Sequence, residues 1–567
     1  MVLCTLKRFE TDVDVIEAKP FRLGFFSYFD AALKGGKSVN YQKYHKLYFD
    51  VPPFTRTWPK KQITSAPIWC SVDLRDGNQA LFSPMTLEEK VAFFKLLVKI
   101  GFKEIEVGFP AASETEYQFT RYLIENDLIP EDVTIQVLTQ SRDHIIKKTV
   151  EALEGAHHAI IHLYNSTSAL QREVVFHKSR EEIIQLAVDG VRMIQKYADD
   201  RFSYEYSPES FSCTEMDFAV EICNAVIREF APTPEKKLII NLPTSVEVST
   251  PNIYADQVEY MSQHLDRRDS VIVSVHTHND RGTGVASSEL ALLAGAQRVE
   301  GTLFGNGERT GNADIAVIAL NMFSVGIDPQ LNLDNLEEII DAYKKFNKLP
   351  IHPRHPYAGA MAYTAFSGSH QDAIKKAMDY CETHKQPYWQ NPYLTIDPTD
   401  LNRVYEPILI NSQSGKGGLS YVLETKFGLT VPKALLQEFS ATIKIVSDGK
   451  HTVLEPEEIY DVFERHYVNL KDKAELVDYH FKLAGEEAHL DANVKLCGKT
   501  RMLSAQGNGP LDALSNALRA ETGKAFEIVF YNEHALEGSS SSKAATYIAI
   551  NDTQGNMYWG VGIHPNI

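Results

Sequence analysis

The chain has 567 residues, 44% of them hydrophobic, and this length is sufficient for two or three domains with cores of their own. The formal net charge of -18 argues against a general binder of nucleic acid or of acidic membranes, because phosphate binding requires a basic surface. No apolar run approaches the roughly 18 to 20 residues that a membrane-spanning helix needs, so no membrane partner is expected.

Residues 1–65 are predicted to form an N-terminal extension, and the first 45 of them show no pattern that indicates structure. The opening MVLCTLKRFETDVDVIEAK contains acidic residues early and lacks a continuous apolar core, so it is a poor signal or transit peptide. The six cysteines lie far apart with no C-x-x-C pair, which indicates free thiols in a reducing compartment. Together these features predict a cytoplasmic protein.

A unit of a β-rich run, a polar turn and a helical stretch recurs over residues 66–328. The eight β-rich runs are APIWCSVD, KEIEVGF, VTIQVLT, HHAIIHLY, RFSYEYS, KLIINLP, SVIVSVH and VEGTLFG. Alternating β and α units imply a parallel sheet. Eight units in this length predict an α/β fold of the (β/α)8 TIM-barrel type, with a doubly wound open sheet as the alternative. The first helix should begin after Thr86, which forms a capping box with Glu89, and stop at Gly101.

The chain changes character after the barrel. Residues 329–429 alternate short helical stretches with proline-rich connections, which predicts a helical linker subdomain. Residues 430–567 predict a separate C-terminal α/β domain. Its β-rich runs are ATIKIVSDG, HLDANVKLC, FEIVFYN and ATYIAIND, around a helix at GPLDALSNALRAETG and a serine-rich turn at 539–542.

Polar side chains end nearly every β-rich run of the predicted barrel. The active site of such a barrel lies at the C-terminal ends of its strands, where these side chains would meet. Burying them separately in a plain core would be costly, so one shared polar site is the simpler explanation. The residues concerned are Arg75, Asp76, Gln79, Glu106, His162, Tyr164, Asn165, Ser207, Glu209, Asn241, Ser245, His276, His278, Asn306, Glu308, Arg309 and Asn312.

The stretch VSVHTHNDRGTG places His276 and His278 one residue apart at the end of a strand. Residues i and i+2 of a strand point to the same face, so both imidazoles converge. With Asp76 they would form a mixed N/O site suited to Mg²⁺, Mn²⁺ or Zn²⁺. The alternative is a pair of hydrogen-bonded histidines at a strand end. Asn312, in the glycine-rich GNGERTGN turn, could be a further ligand or the cap of the following helix.

For two further residues, Arg75 and His370, a role in catalysis or binding competes with an ordinary structural role. Arg75 offers a permanently charged donor fork that would bind a carboxylate or an oxyanion, or it could simply pair with Asp76. Ser369 and Asp372 show a capping-box pattern, which places His370 in the first turn of a helix. The positive end of the helix dipole favours a neutral imidazole, so His370 could act as a general base or be an ordinary surface histidine.

The motifs LRDGNQALFSPM, IEVGFPAASETE, YNSTSALQREVVF, YSPESF, HTHNDRGTG, GNGERTGN and GSHQDAI, in this order, resemble the 2-isopropylmalate synthase family within the acyl-CoA Claisen-condensing enzymes. The resemblance extends from about residue 52 to residue 567. The C-terminal GNGPLDAL and WGVGIHPNI resemble the regulatory domain of that family, where leucine binds and inhibits.

The resemblance implies condensation of acetyl-CoA with 2-oxoisovalerate to 2-isopropylmalate and CoA, the first committed step of leucine biosynthesis. It implies a divalent metal, Mg²⁺ before Mn²⁺ or Zn²⁺, with K⁺ as an activator, and a homodimer in which the partner subunit could supply His370. The implied roles are metal binding by Asp76, His276, His278 and Asn312, substrate binding by Arg75, His162, Ser207 and Ser245, catalysis by Arg75, Glu209, His370 and Tyr405, and regulation by Gly507, Asn508, Gly509, Pro510 and Leu511.

The chain departs from the family pattern at both ends. Its first 45 residues are unlike the family N-terminus, and the domain at 430–567 is expected to lack the helix that usually follows its last motif. The nearest alternatives are homocitrate, citramalate and methylthioalkylmalate synthases, which differ in the keto acid they accept. A metal-dependent acyl-CoA lyase or pyruvate aldolase, and a silent amino-acid-binding protein, are the alternatives from other classes.

Overall fold

The computed structural model describes residues 41–198, 200–365, 367–405, 416–450, 454–471, 474–484, 487–536 and 542–565. They fall into two compact units. The barrel unit contains the described residues up to 362 together with 396–404, and the C-terminal unit contains the described residues of 363–395 and 405–567. The predicted domain boundaries at 65, 328 and 429 stay predictions.

The barrel unit is built on a closed sheet of eight parallel strands in sequence order, as predicted. Pairing of Trp69 with Val299 joins the first strand to the last and closes the barrel. Because all strands run in the same direction, their C-terminal ends share one rim. The strands are β1 (Ile68–Ser71), β2 (Glu104–Gly108), β3 (Thr134–Gln140), β4 (Ala159–Ser166), β5 (Ser203–Glu209), β6 (Leu238–Thr244), β7 (Val271–Thr277) and β8 (Arg298–Gly301).

Helices alternate with these strands and cover the sheet. They are α1 (Leu87–Ile100), α2 (Glu114–Glu125), α3 (Asp143–Ala152), α4 (Arg180–Tyr197), α5 (Met216–Phe230), α6 (Pro251–His264), α7 (Gly284–Leu293) and α8 (Ile315–Phe323). Helix α1 begins with the predicted reciprocal capping box of Thr86 and Glu89. It ends at Gly101, whose φ of 110° lies in the left-handed region that favours glycine.

The segment that precedes the barrel packs against helix α6. Arg56 and the indole of Trp58 both donate to the buried carboxylate of Asp256, at 2.7 and 2.9 Å. The ring of Phe54 meets Tyr260 edge to face. Part of the predicted N-terminal extension is therefore bound to the barrel wall through the buried carboxylates of Asp256 and Glu259, the latter accepting from the Thr57 amide at 3.0 Å, and through one aromatic pair.

After the barrel strands, α9 (Leu336–Asn347) belongs to the barrel unit, and α10 (Gly368–His384) opens the C-terminal unit. The C-terminal unit continues with three more helices, a three-stranded sheet, one helix and a second three-stranded sheet, and both sheets are antiparallel. These elements are α11 (Lys416–Phe427), α12 (Lys433–Lys450), α13 (Pro456–Tyr467), β9 (Ala474–Ala484), β10 (Glu487–Leu496), β11 (Lys499–Gly507), α14 (Pro510–Thr522), β12 (Phe526–Ala535), β13 (Ala544–Asp552) and β14 (Met557–His564).

One predicted strand in this unit is wrong. The run ATIKIVSDG lies in helix α12, where Leu435, Phe439 and Ile443 recur every four residues and are buried, while Ile445 is exposed. This helical period outweighs the β-branched composition on which the strand prediction depended. The other three β-rich runs and the helix at 509–523 are confirmed. The serine-rich turn at 539–542 lies mostly outside the described residues.

The central strand β13 serves two cores at once. Ala545, Tyr547 and Ala549 pack with helices α11 to α13, while Ile548 and Ile550 point to the opposite face and pack with α14 and the first sheet. Alternation along a strand explains why consecutive side chains enter different cores. Within the described part of the chain, no helix combines the length and the apolar character needed to cross a bilayer.

Candidate active site

The structure brings Asp76, His276 and His278 together at the rim of the barrel. Asp76 lies on a helical turn directly after β1, His276 lies on β7, and His278 follows it. The Asp76 Oδ2 atom is 3.2 Å from His276 Nε2 and 3.7 Å from His278 Nε2. All three side chains are buried. The convergence expected from the His-x-His spacing and from the strand-end rule is therefore present.

Asn312 reaches the same cluster from the loop after β8. Its backbone pairs with His278 in an isolated bridge, and its Nδ2 atom donates to Asp76 Oδ2 at 2.7 Å. The alternative role as a helix cap is wrong, since Asp314 caps helix α8 by accepting from the Val317 amide at 3.1 Å. Asn312 is thus held at the cluster rather than at the start of the helix.

Glycines in GNGERTGN allow this close approach. A Cβ atom on Gly311 would lie 1.8 Å from the Gly305 carbonyl oxygen, and one on Gly307 would lie 2.3 Å from Asn312 Oδ1. Both residues also have φ in the left-handed region. The tight turn predicted for this stretch is present, and it places the Asn312 amide against the cluster.

The cluster fits a divalent metal ion. One ligand atom from each of Asp76, His276 and His278 lies within 4.8 Å of the others. Two buried polar atoms at the cluster, Asn312 Oδ1 and His278 Nδ1, have no hydrogen-bond partner among the described residues. A carboxylate, two imidazoles and an amide oxygen form a mixed oxygen and nitrogen set that divalent ions accept, so these residues would hold the metal.

The hydrogen bond that His276 makes on its other side sets its orientation. Its Nδ1 atom lies 2.8 Å from Glu300 Oε2, so the ring donates there and turns Nε2 toward Asp76. Burial would lower the pKa of His276, but the hydrogen bonds to Asp76 and Glu300 outweigh it and raise the pKa to about 9. Burial and the neighbouring His276 instead lower the pKa of His278 to about 4.

Arg75 pairs with Asp76, one of the two roles the sequence left open, and its binding of a carboxylate or oxyanion stays a prediction. Its Nη1 atom lies 3.0 Å from Asp76 Oδ1, and its Nε atom donates to Glu106 on β2. Burial alone would raise the pKa of Asp76, but Arg75 and His276 hold that pKa well below its usual range. Arg75 is therefore an ion-pair partner of Asp76, and its permanent charge lies beside the cluster that could hold a metal.

Below the rim, the barrel contains a network of buried charges that the sequence interpretation missed. The Arg298 guanidinium donates to Glu300 Oε1 at 2.9 Å and lies 3.3 Å from Glu205 Oε2. Gln136 links Glu300 and Glu106, donating to them at 2.9 and 3.1 Å. His162, Glu205 and Glu300 also lie close enough to hold a metal, but the Arg298 guanidinium already supplies a cation between the Glu205 and Glu300 side chains.

A signal for this network was present in the strands. Glu104 and Glu106, Glu205 and Ser207, and Arg298 and Glu300 are each two residues apart inside a strand and therefore point to one face. Ionic side chains at i and i+2 inside apolar strands would have indicated a polar barrel interior.

His162, Ser207 and Asn241 form a chain of directed hydrogen bonds. His162 Nδ1 lies 2.8 Å from Glu106 Oε1, to which it donates, so Nε2 is free to accept from the Ser207 hydroxyl at 2.7 Å. Asn241 Nδ2 donates to the same hydroxyl oxygen at 3.0 Å. All four side chains are buried, and the chain extends from the Glu106 carboxylate into the barrel mouth.

The other two predicted barrel residues lie on the loops of the rim. Glu209 ends β5 and accepts from the hydroxyl of Ser166. Ser245 follows β6, and its Oγ atom accepts from the Ser210 amide at 2.8 Å. Glu209 and Ser245 thus lie at the same rim as Asp76, His276 and His278.

His370 and Tyr405 belong to the C-terminal unit, which is described by itself. His370 lies in the first turn of α10, as predicted, and its exposed ring stacks on Tyr393 with centroids 4.0 Å apart. The predicted capping box is wrong, because the helix begins after Ser367 without a side-chain cap. Asp372 accepts from Lys376 instead, at 2.6 Å. The catalytic roles of His370 and Tyr405 stay predictions.

The predicted regulatory residues lie where β11 meets α14. Gly507 ends the strand, Asn508 donates its amide to Asp512 at 3.0 Å, Gly509 precedes the helix, and Pro510 and Leu511 begin it. A Cβ atom on Gly507 would lie 2.4 Å from the Ala513 nitrogen, so the strand passes close against the helix start. Leucine binding at this segment stays a prediction.

Comparison with known proteins agrees with this layout. Residues 66–342 match the HMGL-like family model, residues 360–424 match the model for the alpha-isopropylmalate synthase post-catalytic domain-like family, and residues 453–567 match the LeuA allosteric (dimerisation) domain. The 2-isopropylmalate synthase of Desulfitobacterium hafniense (strain Y51) is 54% identical over 534 residues, covering 93% of this chain and 96% of that protein. The 2-isopropylmalate synthase of Helicobacter hepaticus is 53% identical over 543 residues, covering 93% and 97%.

Proposed function

The chain belongs to the 2-isopropylmalate synthase family, and from this we propose that it condenses acetyl-CoA with 2-oxoisovalerate to give 2-isopropylmalate and CoA. The observation that carries the proposal is the buried cluster of Asp76, His276, His278 and Asn312 with Arg75 beside it, at the rim of a barrel in a chain related over almost its whole length to such synthases.

The proposed metal is a divalent ion, with Mg²⁺ first and Mn²⁺ or Zn²⁺ as alternatives, and K⁺ is a proposed activator. When bound, such an ion polarises a carbonyl and favours negative charge on its oxygen. Asp76, His276, His278 and Asn312 would hold it, and Glu300 orients the His276 ring for that purpose.

The chain's own residues account for binding of the keto acid. Arg75 supports the developing oxyanion, because its guanidinium is fixed in advance by Asp76 and Glu106. The Ser207 hydroxyl is oriented by His162 and Asn241, and Ser245 presents its hydroxyl on the neighbouring loop. These groups form the proposed keto-acid site.

Proton removal from the acetyl methyl group is assigned to His370, with Glu209 and Tyr405 assisting. A homodimer, which the match to the LeuA allosteric (dimerisation) domain supports, would allow the partner subunit to supply His370. Leucine is the proposed inhibitor, acting at residues 507–511 of the C-terminal unit. A cytoplasmic location remains our prediction from the sequence.

Release of the CoA thiol tests the proposal. The protein is given acetyl-CoA and 2-oxoisovalerate, then the same mixture with EDTA, and then with leucine. Keto-acid-dependent release that EDTA abolishes is the expected result. A preference for another keto acid in a parallel panel would move the protein to homocitrate, citramalate or methylthioalkylmalate synthase.

An acyl-CoA lyase is the second candidate, because the HMGL-like model covers the whole barrel. The two C-terminal matches favour the synthase, since both carry the name of that pathway's enzyme. No CoA release with any keto acid, together with cleavage of a 3-hydroxyacyl-CoA, would overturn the synthase proposal in favour of the lyase.

A further inference from the structure

Three loops at the barrel rim are joined by an ion pair outside the metal cluster. Arg309, in the loop after β8, donates through Nε to Asp280 Oδ1 at 2.7 Å and through Nη2 to Asp280 Oδ2 at 3.2 Å. Asp280 lies in the loop after β7. The same Nη2 atom donates to the backbone carbonyl of Ser245, in the loop after β6, at 2.5 Å. We call Asp280 and Arg309 the rim clasp.

A second carboxylate, that of the buried Glu247, also joins the loops after β6 and β7. Asp280 Oδ2 accepts from the Glu247 amide at 2.9 Å, and the buried Glu247 side chain accepts in return from the Arg281 amide at 2.6 Å. Glu247 also accepts from the hydroxyl of Thr283. The loops after β6 and β7 are therefore bound by reciprocal contacts from side chain to backbone, and Arg309 closes them from the third loop.

The backbone at this rim is held in conformations that non-glycine residues rarely adopt. Arg309 has φ of 56°, and Ser210, whose amide donates to Ser245 Oγ, has φ of 62°. Such left-handed residues cost free energy and persist only where surrounding contacts require them. Both residues contact Ser245, Arg309 through the Ser245 carbonyl and Ser210 through the Ser245 hydroxyl oxygen.

We propose that Asp280 and Arg309 are positioning residues that fix the Ser245 loop and so set the affinity for the keto acid. The proposal rests on the proposed function, in which Ser245 binds that substrate. The Ser245 oxygen already accepts from Ser210, so the hydroxyl proton is the group left to donate to a substrate oxygen. Neither clasp residue needs to touch the reacting atoms.

The clasp acts on Ser245 through the backbone of its loop. Arg309 binds the Ser245 carbonyl, and the next residue back, Thr244, accepts from the His278 amide at 3.1 Å. The short segment 244–245 thus connects the clasp to the end of β7. Loss of the rim clasp would move the Ser245 hydroxyl, whereas the buried network below the rim would keep its own hydrogen bond between Arg298 and Glu300.

The test compares Arg309→Gln, Arg309→Lys and Asp280→Asn with the wild type, measuring KM for 2-oxoisovalerate and for acetyl-CoA separately. Arg309→Gln should raise KM for the keto acid roughly tenfold, because a charge-assisted hydrogen bond to the loop is lost. KM for acetyl-CoA should change less than about twofold. Arg309→Lys should restore only part of the affinity, because its ammonium is a point charge and lacks the planar fork that in Arg309 reaches both Asp280 oxygens and the Ser245 carbonyl.

The matched control is Arg228→Gln on α5, outside the rim. It breaks an exposed ion pair in which Arg228 lies 3.0 Å from Asp266. It should leave both KM values unchanged. Equal rises in both KM values, or an unchanged keto-acid KM in Arg309→Gln, would overturn the clasp proposal. A wild type that releases no CoA overturns the proposed function instead, so the two failures are distinguishable.

Discussion

The barrel and the C-terminal unit have interiors of opposite composition. The barrel contains charged and polar side chains that are fully buried, among them Glu106, Gln136, Glu205, Arg298 and Glu300. The helical core of the C-terminal unit is made of aliphatic and aromatic side chains such as Leu435, Phe439 and Phe463.

Because buried charges and buried apolar side chains contribute differently to stability, the two interiors should serve different roles. Buried ion pairs contribute little net stability, because removing charges from water costs about as much as their attraction returns. Apolar burial stabilises by about 25 cal/mol per Å². The apolar C-terminal core therefore contributes mainly to stability, while in the barrel interior the buried Glu300 orients the ring of His276, a proposed metal ligand. Substitutions in the two interiors should accordingly change different quantities.

The largest expected effect is on the metal cluster. His276→Ala should lower the rate of CoA release by about a thousandfold or more, since it removes a ligand to an ion expected to contribute several kcal/mol to the transition state. The free energy of unfolding should change far less. His384→Ala, at an exposed position in α10, is the control. A His276→Ala protein with normal rates at saturating Mg²⁺ would contradict the assignment.

The opposite outcome is expected in the C-terminal core. Phe439→Ala should lower the free energy of unfolding by about 3–5 kcal/mol, because it leaves a cavity among Phe463, Tyr467 and neighbouring leucines. Urea unfolding of the full chain measures this. Ile445→Ala, on the exposed side of the same helix, should cost little. Equal losses for the two variants would show that α12 does not bury the Phe439 side.

Glu300→Gln tests the link between the buried network and the ligands. It should reduce metal affinity roughly 10- to 100-fold, because His276 loses the carboxylate that orients its ring. Titration of metal against protein stability gives the affinity without requiring turnover. An unchanged affinity would mean that the barrel charges do not orient the ligands and that the contrast between the two interiors has another origin.

Glu205→Gln tests whether the buried Glu205 carboxyl is neutral or charged in the folded protein. Burial raises the pKa of the Glu205 carboxyl well above its usual value, despite the nearby Arg298. Wild-type stability from this group is therefore present at low pH and falls as pH rises above the unfolded pKa. Glutamine does not titrate, so the variant should gain stability relative to wild type between about pH 5 and pH 8. Free energies of unfolding of both proteins at the two ends of that pH range measure this change. A variant that loses stability relative to wild type as pH rises would contradict the prediction.

The smallest effect is expected at a helix end remote from both interiors. Thr86→Ala removes the side-chain half of the capping box on α1 and should cost about 1 kcal/mol of unfolding free energy. Thr86→Ser keeps the hydroxyl and serves as the control. Thermal unfolding would show the difference as a small shift, and CoA release should be unchanged.

The sequence alone determined the elements of the barrel and most of its rim. Strand and helix periods are local, so the eight β-rich runs and the α1 capping box could be predicted from neighbouring residues. The parallel order of the strands then places their ends together, which is why Asp76, His276 and His278 could be predicted as one cluster.

Only the tertiary structure decided what those residues touch. Asn312 could be a cap or a ligand until its amide met Asp76, 236 residues away in the chain. The contact of Glu300 with His276 and the rim clasp likewise join different strands or loops. In α12, a β-branched run became helix because its buried partners recur every four residues. Local preference sets the elements, but the free energy of burial and pairing between distant residues selects which polar groups meet.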